Sequence, residues 1–325
     1  MTCQSHSVNK CPSNLEGKNL THVLEFQLMG LSNDPELQPL LFGLFLTMYL
    51  ITVLGNLLII LIVCLDSHLH TPMYYFLSNL SLADICFIST TFPKMIVGTQ
   101  IDSRTTAYEG CLTQMSFYML FGSMDDMLLT VMAYDRFVAI CHPLYYSVIM
   151  NHRLCGFLLL VSFLFSILDA QLHHLFALHF PYFKDVEISN FFCDPSHLLN
   201  LVCSDNFSSS IVKYFTGVVF GFVPISGILF SYYKIISSIL KIASSGGRFK
   251  ALSTCCSHLL VVCLFYWTSI GVYLGSSLSE YPRNVLVASI TYTVVTPMLN
   301  PFIYSLRNRD IKSVLSRIHV RTIRS

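Results

Sequence analysis

The side chains of this sequence that could do chemistry lie mostly inside long apolar runs. An acid and a base adjoin at Asp135-Arg136, at the far end of a run that begins near Leu112. A charge at the centre of a bilayer costs roughly 2.5 to 3.5 kcal/mol on insertion scales. An Arg at the last turn of a span instead snorkels to water or pairs with a neighbouring acid, and a lone Arg there would read as an ordinary positive cap. Asp84 stands midway along another run, and Asp125, with Asp126 beside it, stands within the run that ends at Arg136. Two carboxylates in a dry interior cannot both stay charged unaided; they need a proton, or a cation such as Na⁺ between them. His173-His174 and Cys255-Cys256 with His258 have the types of metal ligands, but read better as a polar helix end and a packed helix face. No nucleophile beside a base and no phosphate-cradling glycine loop stands out. The chemistry expected is binding and switching, and the chain is not read as an enzyme.

These residues need helices to hold them. Helical spacing puts Tyr118, Gly122, Asp125, Leu129, Met132 and Arg136 on one stripe. Gly122 is expected to open space next to Tyr118 and Ser123, with the polar positions deeper. The chain is 54% hydrophobic and 11% charged, about half the charge fraction of a soluble domain. Seven apolar runs, each near the ~20 residues that cross the hydrocarbon, fall at about 39–64, 72–97, 112–141, 154–175, 211–241, 250–275 and 284–306. Pro93, Pro224, Pro297 and Pro301 lie inside runs, tolerated where neighbouring helices re-satisfy the freed backbone. The chain thus divides into an amino-terminal segment 1–38, a bundle 39–306 and a tail 307–325. With seven spans the ends lie on opposite sides, and 12 of the 19 Lys and Arg fall on the side of the tail. That side is expected to be cytoplasmic and the amino terminus extracellular. The first ten residues lack the apolar core of a signal peptide, so insertion is expected to rely on the first span. Asn19-Leu20-Thr21 becomes an accessible glycosylation sequon, with Asn206 a weaker one. Alternating basic and apolar residues after Arg307 suit a short amphipathic helix on the inner leaflet.

The stretch Met132 to Pro143, MAYDRFVAICHP, resembles the signature of rhodopsin-like G-protein-coupled receptors in the form typical of olfactory receptors. Five further motifs carry the resemblance in order: Gly55-Asn56, Leu69 to Tyr74 (LHTPMY), Leu80 to Asp84 (LSLAD), Lys250 to Leu259 (KALSTCCSHL) and Pro297 to Tyr304 (PMLNPFIY). Together they cover about residues 20 to 320, and the wording HTPMYYFLSNLS is similar to the tetrapod-type (class II) branch. The resemblance implies a seven-helix membrane bundle, all-α, with a ligand pocket in its outer half. It implies a small-molecule odorant as ligand and a heterotrimeric G protein of the stimulatory olfactory type as partner.

Residue by residue, it implies a pocket of Tyr118, Met119, Gly122 and Ser123 with Thr216 and Phe220 above Pro224. Tyr266, Ser269, Ile270 and Tyr273 on the sixth span and Ile290 and Thr293 on the seventh complete it. This set is apolar with several hydroxyls and no charge, which suits a small apolar ligand held by burial and one or two hydrogen bonds. With Tyr118 where a charge would stand, it argues against amines. The implied switch is Asp135, Arg136, Tyr232, His258, Asn300, Pro301 and Tyr304. The implied disulfide joins Cys111 to Cys193, and Na⁺ as an allosteric ion would sit among Asp84, Asp125 and Asn300.

The sequence departs from the family in Phe137 for the usual Tyr, Asp125 for the usual Glu, and Trp267 where Gly is normal, an indole expected to crowd a neighbouring helix. Cys203 lacks its expected partner; Cys3 and Cys11 are the other cysteines outside. Other readings stand beside this one: a receptor of the same fold for a lipid or peptide, a receptor-like chain with impaired signalling, and a transporter or channel. The last would need acids lining a through-path, and no internal repeat supports it.

Overall fold

The computed structural model describes residues 25–29, 34, 36–101, 105–179, 187–188, 190–195, 198, 211, 214–242, 244–278, 282–307 and 311–314, with the backbone alone at 97–101, 250, 254, 273–278, 282–285 and 306–307. The sequons at Asn19 and Asn206, the cysteines Cys3, Cys11 and Cys203, and most of the tail lie outside these residues, as does the side chain of Tyr273.

Seven long helices carry the chain: α1 (Leu37–Leu65), α2 (Pro72–Ile101), α3 (Tyr108–Cys141), α4 (His152–His179), α5 (Tyr214–Leu240), α6 (Ser245–Leu278) and α7, which runs in three pieces, Pro282–Ile290, Thr291–Val295 and Thr296–Arg307. Each expected run falls on one of them. Among the described residues five are long and apolar enough to cross a membrane by length and composition, namely α1, α4, α5, α6 and α7, and α3 joins them when it is taken with the bent segment Pro143–Ile149. The other two are the more polar: α2 carries Asp84 and Lys94, and α3 carries Asp125, Asp126, Asp135 and Arg136. Their position explains this. The helix α3 packs on α2, α4, α5 and α6, so its acids face protein, while the peripheral helices turn Leu40, Leu54, Leu164, Phe230 and Tyr233 outward. A surface this apolar suits lipid, where helices hide their backbone polar groups internally.

Proline shapes α5 and α7 in the same way. Both contain a π-helical stretch, Gly217–Phe222 in α5 and Thr291–Val295 in α7, each just ahead of a proline, Pro224 and Pro297. A proline lacks the N–H for the carbonyl four residues back and clashes with it. Those carbonyls belong to Phe220 and Thr293, inside the π stretches, where a wider turn makes room. Close approach of α1 to α7 depends on Gly55, where a Cβ would lie 3.2 Å from Pro301 Cβ and Cγ. Small residues at helix contacts permit such proximity.

To the helical bundle the structure adds a small sheet that the sequence did not announce. Strand β1 (Glu25–Leu28) lies between β2 (Thr105–Ala107), antiparallel with Phe26 opposite Thr106, and β3 (Glu187–Ile188), parallel with Leu28 opposite Ile188. Alternation along β1 turns Phe26 and Leu28 inward onto Cys111, Leu112, Met115 and Cys193. At the other end, residues 311–314 are helical with Ile311 and Val314 buried and Lys312 and Ser313 exposed, one turn of the amphipathic pattern.

Candidate functional site

At the sheet end of the bundle, a lid of chain is fixed over α3. Cys111 and Cys193 are bonded, their Cα atoms 5.4 Å apart. Gln114 then spans three elements: its Nε2 donates to the Thr90 carbonyl at 3.0 Å, and its Oε1 accepts the Cys193 N–H at 3.2 Å. Asn190, fully buried, donates to Asp194 Oδ2 at 3.0 Å and to Ser289 Oγ of α7 at 2.9 Å. The lid thereby presses Phe192 onto Tyr118, ring centroids 4.9 Å apart.

Beneath it lies an aromatic cluster. Tyr118 is 5.0 Å from Phe87 and 6.3 Å from Tyr292, and Tyr292 is 5.6 Å from Phe265. The expected space at Gly122 is filled: a Cβ there would lie 3.3 Å from Tyr292 Oη and 3.4 Å from the Phe87 ring. Phe87, Phe192 and Tyr292 escaped sequence reasoning, because an aromatic in an apolar helix looks the same whether it packs or lines a site. Of the other expected pocket residues, Met119, Thr216, Phe220, Ser269 and Thr293 are buried and Ile290 is half-buried. Phe220 turns toward α4, its ring 4.6 Å from Phe165. Ile270 is the exception. It is 48% exposed and shares the outer face of α6 with Trp267, 82% exposed, as the three-residue spacing dictates. Ile270 is therefore removed from the pocket, and Trp267 crowds no helix.

On the far flank of α3, Ser123 donates its hydroxyl to Asp169 Oδ2 of α4, and Tyr266 of α6 donates to Asp126 Oδ1. Asp169 appeared in no sequence motif; the only signal was an acid in an otherwise apolar run.

Deeper, Asn300 of α7 donates from Nδ2 to both oxygens of Asp84, at 3.1 and 2.9 Å. Asp125 lies within the electrostatic reach of Asp84. Its Oδ1 and the Oδ1 of Asn300 are buried with no hydrogen-bond partner. Two carboxyls and an amide carbonyl with spare lone pairs are the oxygen donor set of a hard cation, so the residues present fit Na⁺.

At the end away from the sheet, Asp135 and Arg136 part company. Adjacent residues on a helix do not face each other. Asp135, 1% exposed, accepts the Tyr146 hydroxyl at 2.8 Å, while Arg136 reaches the sulfur of Met73 and keeps its Nε unpartnered. Nearby, His258 Nε2 lies 3.1 Å from the Leu129 carbonyl and its Nδ1 2.7 Å from Tyr232 Oη. A carbonyl only accepts, so Nε2 carries the proton and Tyr232 donates to Nδ1. This chain ties α3, α5 and α6 together. Tyr304 is buried there with its hydroxyl unpartnered, and Pro301 rests on Gly55. Of the expected switch residues, Asp135, Arg136, Tyr232, His258 and Tyr304 lie toward this end, while Asn300 sits deeper on Asp84.

A family model described as olfactory receptor matches residues 45–322. The chain is 68% identical to olfactory receptor 7E24 of Homo sapiens over 318 residues, covering 98% of this chain and 94% of that protein. It is 65% identical to olfactory receptor 7E178 of Mus musculus (96% and 95% covered) and 58% identical to olfactory receptor 7A10 of Homo sapiens (91% and 96% covered). Its fold is similar to the crystal structure of squid rhodopsin, with a TM-score of 0.71 at 18% identity over 89% of this chain and 87% of that one. A bundle of seven helices with a lidded aromatic cluster at one end and a half-buried Arg at the other, matched along nearly its whole length, belongs to the olfactory receptor family.

Proposed function

We propose that the chain is an odorant receptor of the plasma membrane, with its amino terminus and sheet outside and the Arg136 end facing the cytoplasm. A small, mostly apolar molecule enters the outer half and settles among Tyr118, Met119 and the inward side chains of α5, α6 and α7. Burial at about 25 cal/mol per Å² gives such a ligand only modest affinity, micromolar or weaker. Its binding shifts α6, whose hold on α3 and α5 includes the His258–Tyr232 link, and Arg136 becomes available to a stimulatory, olfactory-type heterotrimeric G protein. The observation that carries this reading is the state of Arg136: a half-buried side chain whose buried Nε has no hydrogen-bond partner, facing Met73 rather than an acid. A group held so weakly is ready to leave for another partner. Na⁺ among Asp84, Asp125 and Asn300 would supply positive charge to the buried acids and favour the resting packing. A cAMP reporter screen of the surface-expressed receptor against a broad odorant panel tests the function; silence across the panel at normal surface levels overturns it, and an odorant-independent current would point instead to a channel.

A further inference from the structure

The lid is held to α3 and to α7, and the two attachments differ in kind. On α3 the Cys111–Cys193 bond is covalent, and Gln114 reinforces it by accepting the Cys193 N–H at 3.2 Å. On α7 the attachment is a hydrogen bond, from the Asn190 amide to Ser289 Oγ at 2.9 Å. A neutral hydrogen bond is exchanged at small net cost, whereas the disulfide stays. Asn190 is fully buried with its side chain wholly engaged: Nδ2 also donates to Asp194 Oδ2, and Oδ1 accepts the Phe191 N–H at 2.9 Å. Its main-chain carbonyl accepts the N–H of Met29, just past β1, at 3.0 Å. Lid, sheet and α7 meet at this one residue.

Ser289, also fully buried, stands just ahead of the π-helical stretch Thr291–Val295. Its carbonyl accepts the Thr293 hydroxyl, inside that stretch, at 2.8 Å. Tyr292 of the same stretch belongs to the aromatic cluster, 5.5 Å from Phe87. Thr296, at its end, lies 3.2 Å from the Thr268 hydroxyl of α6. Single π turns inside helices are frequently found at functional sites. On the lid side, Phe192 stands two residues from Asn190 and presses on Tyr118, ring centroids 4.9 Å apart. Because Cys193 is pinned, a body that lifts Phe192 moves the lid on its Asn190 side. We infer that the Asn190–Ser289 bond is a latch that holds the outer part of α7 in its resting packing, and that a ligand parting Phe192 from Tyr118 opens it. Opening frees Ser289 and the π stretch beyond it, which reaches α6 through Thr296 and Thr268. The inference rests on the odorant-receptor reading for what parts the rings, and it adds a route by which the lid acts on α7.

The test needs no ligand, because Phe192→Trp imitates an occupant by its added volume. Hydrogen–deuterium exchange of the purified full chain in nanodiscs reads the segment Leu286 to Thr296, with α3 as internal reference. A neutral hydrogen bond moves an equilibrium by about three- to tenfold, so Ser289→Ala should speed exchange there about threefold or more and leave α3 unchanged. Asn190→Ala should speed it as well, and adding Ser289→Ala to that variant should change nothing further, since the bond is already gone. Phe192→Trp should have the same effect alone and none in the Ser289→Ala background. Ser289→Ala removes one oxygen and keeps the other bonds of Asn190, so it is decisive even where Asn190→Ala fails to fold. Unchanged exchange in Ser289→Ala, effects that multiply in the double variant, or a Phe192→Trp effect that persists in full without the Ser289 hydroxyl overturns the latch. Basal cAMP at matched surface level separates the two claims, and should rise about threefold or more when the latch is open. A fall in cAMP as exchange quickens overturns the latch. Quickened exchange with no cAMP response in any form, wild type included, leaves the latch standing and counts against the receptor reading.

Discussion

At Gly122 one hydrogen atom stands where a side chain would strike Tyr292 and Phe87. Gly122→Phe must displace both rings, an overpacking of about 1–3 kcal/mol, and with them the wall that Tyr118 leans on. We expect any active odorant to lose at least tenfold in potency at matched surface level, read as a dose–response shift; an unchanged curve places the ligand elsewhere. Arg136→Ala should abolish G-protein activation while surface expression largely holds, because the guanidinium makes no bond to an acid whose loss would disturb the resting bundle. Undiminished cAMP at matched surface levels would refute the assignment. The motif residues at this scale were legible because each is a polar type in an apolar run, where a polar group has few reasons to stand. Their neighbours were not. Phe87 and Tyr292 are unremarkable in sequence, and Ile270 looked like a pocket residue until the rotation of α6 put it beside Trp267 on the outer face.

Among elements, the helices were legible from hydropathy, with ends within a few residues of those observed, since the demand for an apolar run of bilayer length is stringent. The π stretches were half legible: the prolines were seen, but the widened turns four residues ahead of them were not. The sheet was illegible. Four residues, Glu25–Leu28, pair with partners far along the chain, and no local pattern records that. It predicts its own energetics nonetheless. Phe26 is fully buried on the disulfide cluster, so Phe26→Ala should destabilise the receptor by about 3–5 kcal/mol; an unchanged melting temperature in nanodiscs would show that β1 does not dock. Cys111→Ser or Cys193→Ser should reduce surface expression sharply, since a disulfide typically contributes ~2–4 kcal/mol. Unreduced peptide mapping of the wild type should recover the Cys111–Cys193 pair, and two free thiols would contradict it.

For the molecule as a whole, Asp84 of α2 is bonded to Asn300 of α7, so a cation held by these two together with Asp125 of α3 would join three helices at once. Asp125→Asn removes one of its charges. We expect sodium titration of basal and odorant-driven cAMP to separate the two forms, with the variant less sensitive to sodium and altered in basal activity. Superimposable curves would remove Na⁺ from this site. The sheet sets a condition of a different kind, on the order of assembly. Strand β1 precedes every helix, yet one of its edges waits for a strand made after α2 and the other for a strand made after α4. While the ribosome is still supplying the later helices, β1 stands finished and bare on both sides, its Phe26 uncovered. The receptor is closed at this end only when the last of the three strands arrives, so a nascent chain halted before Glu187 carries an open, adhesive edge that the completed protein does not possess.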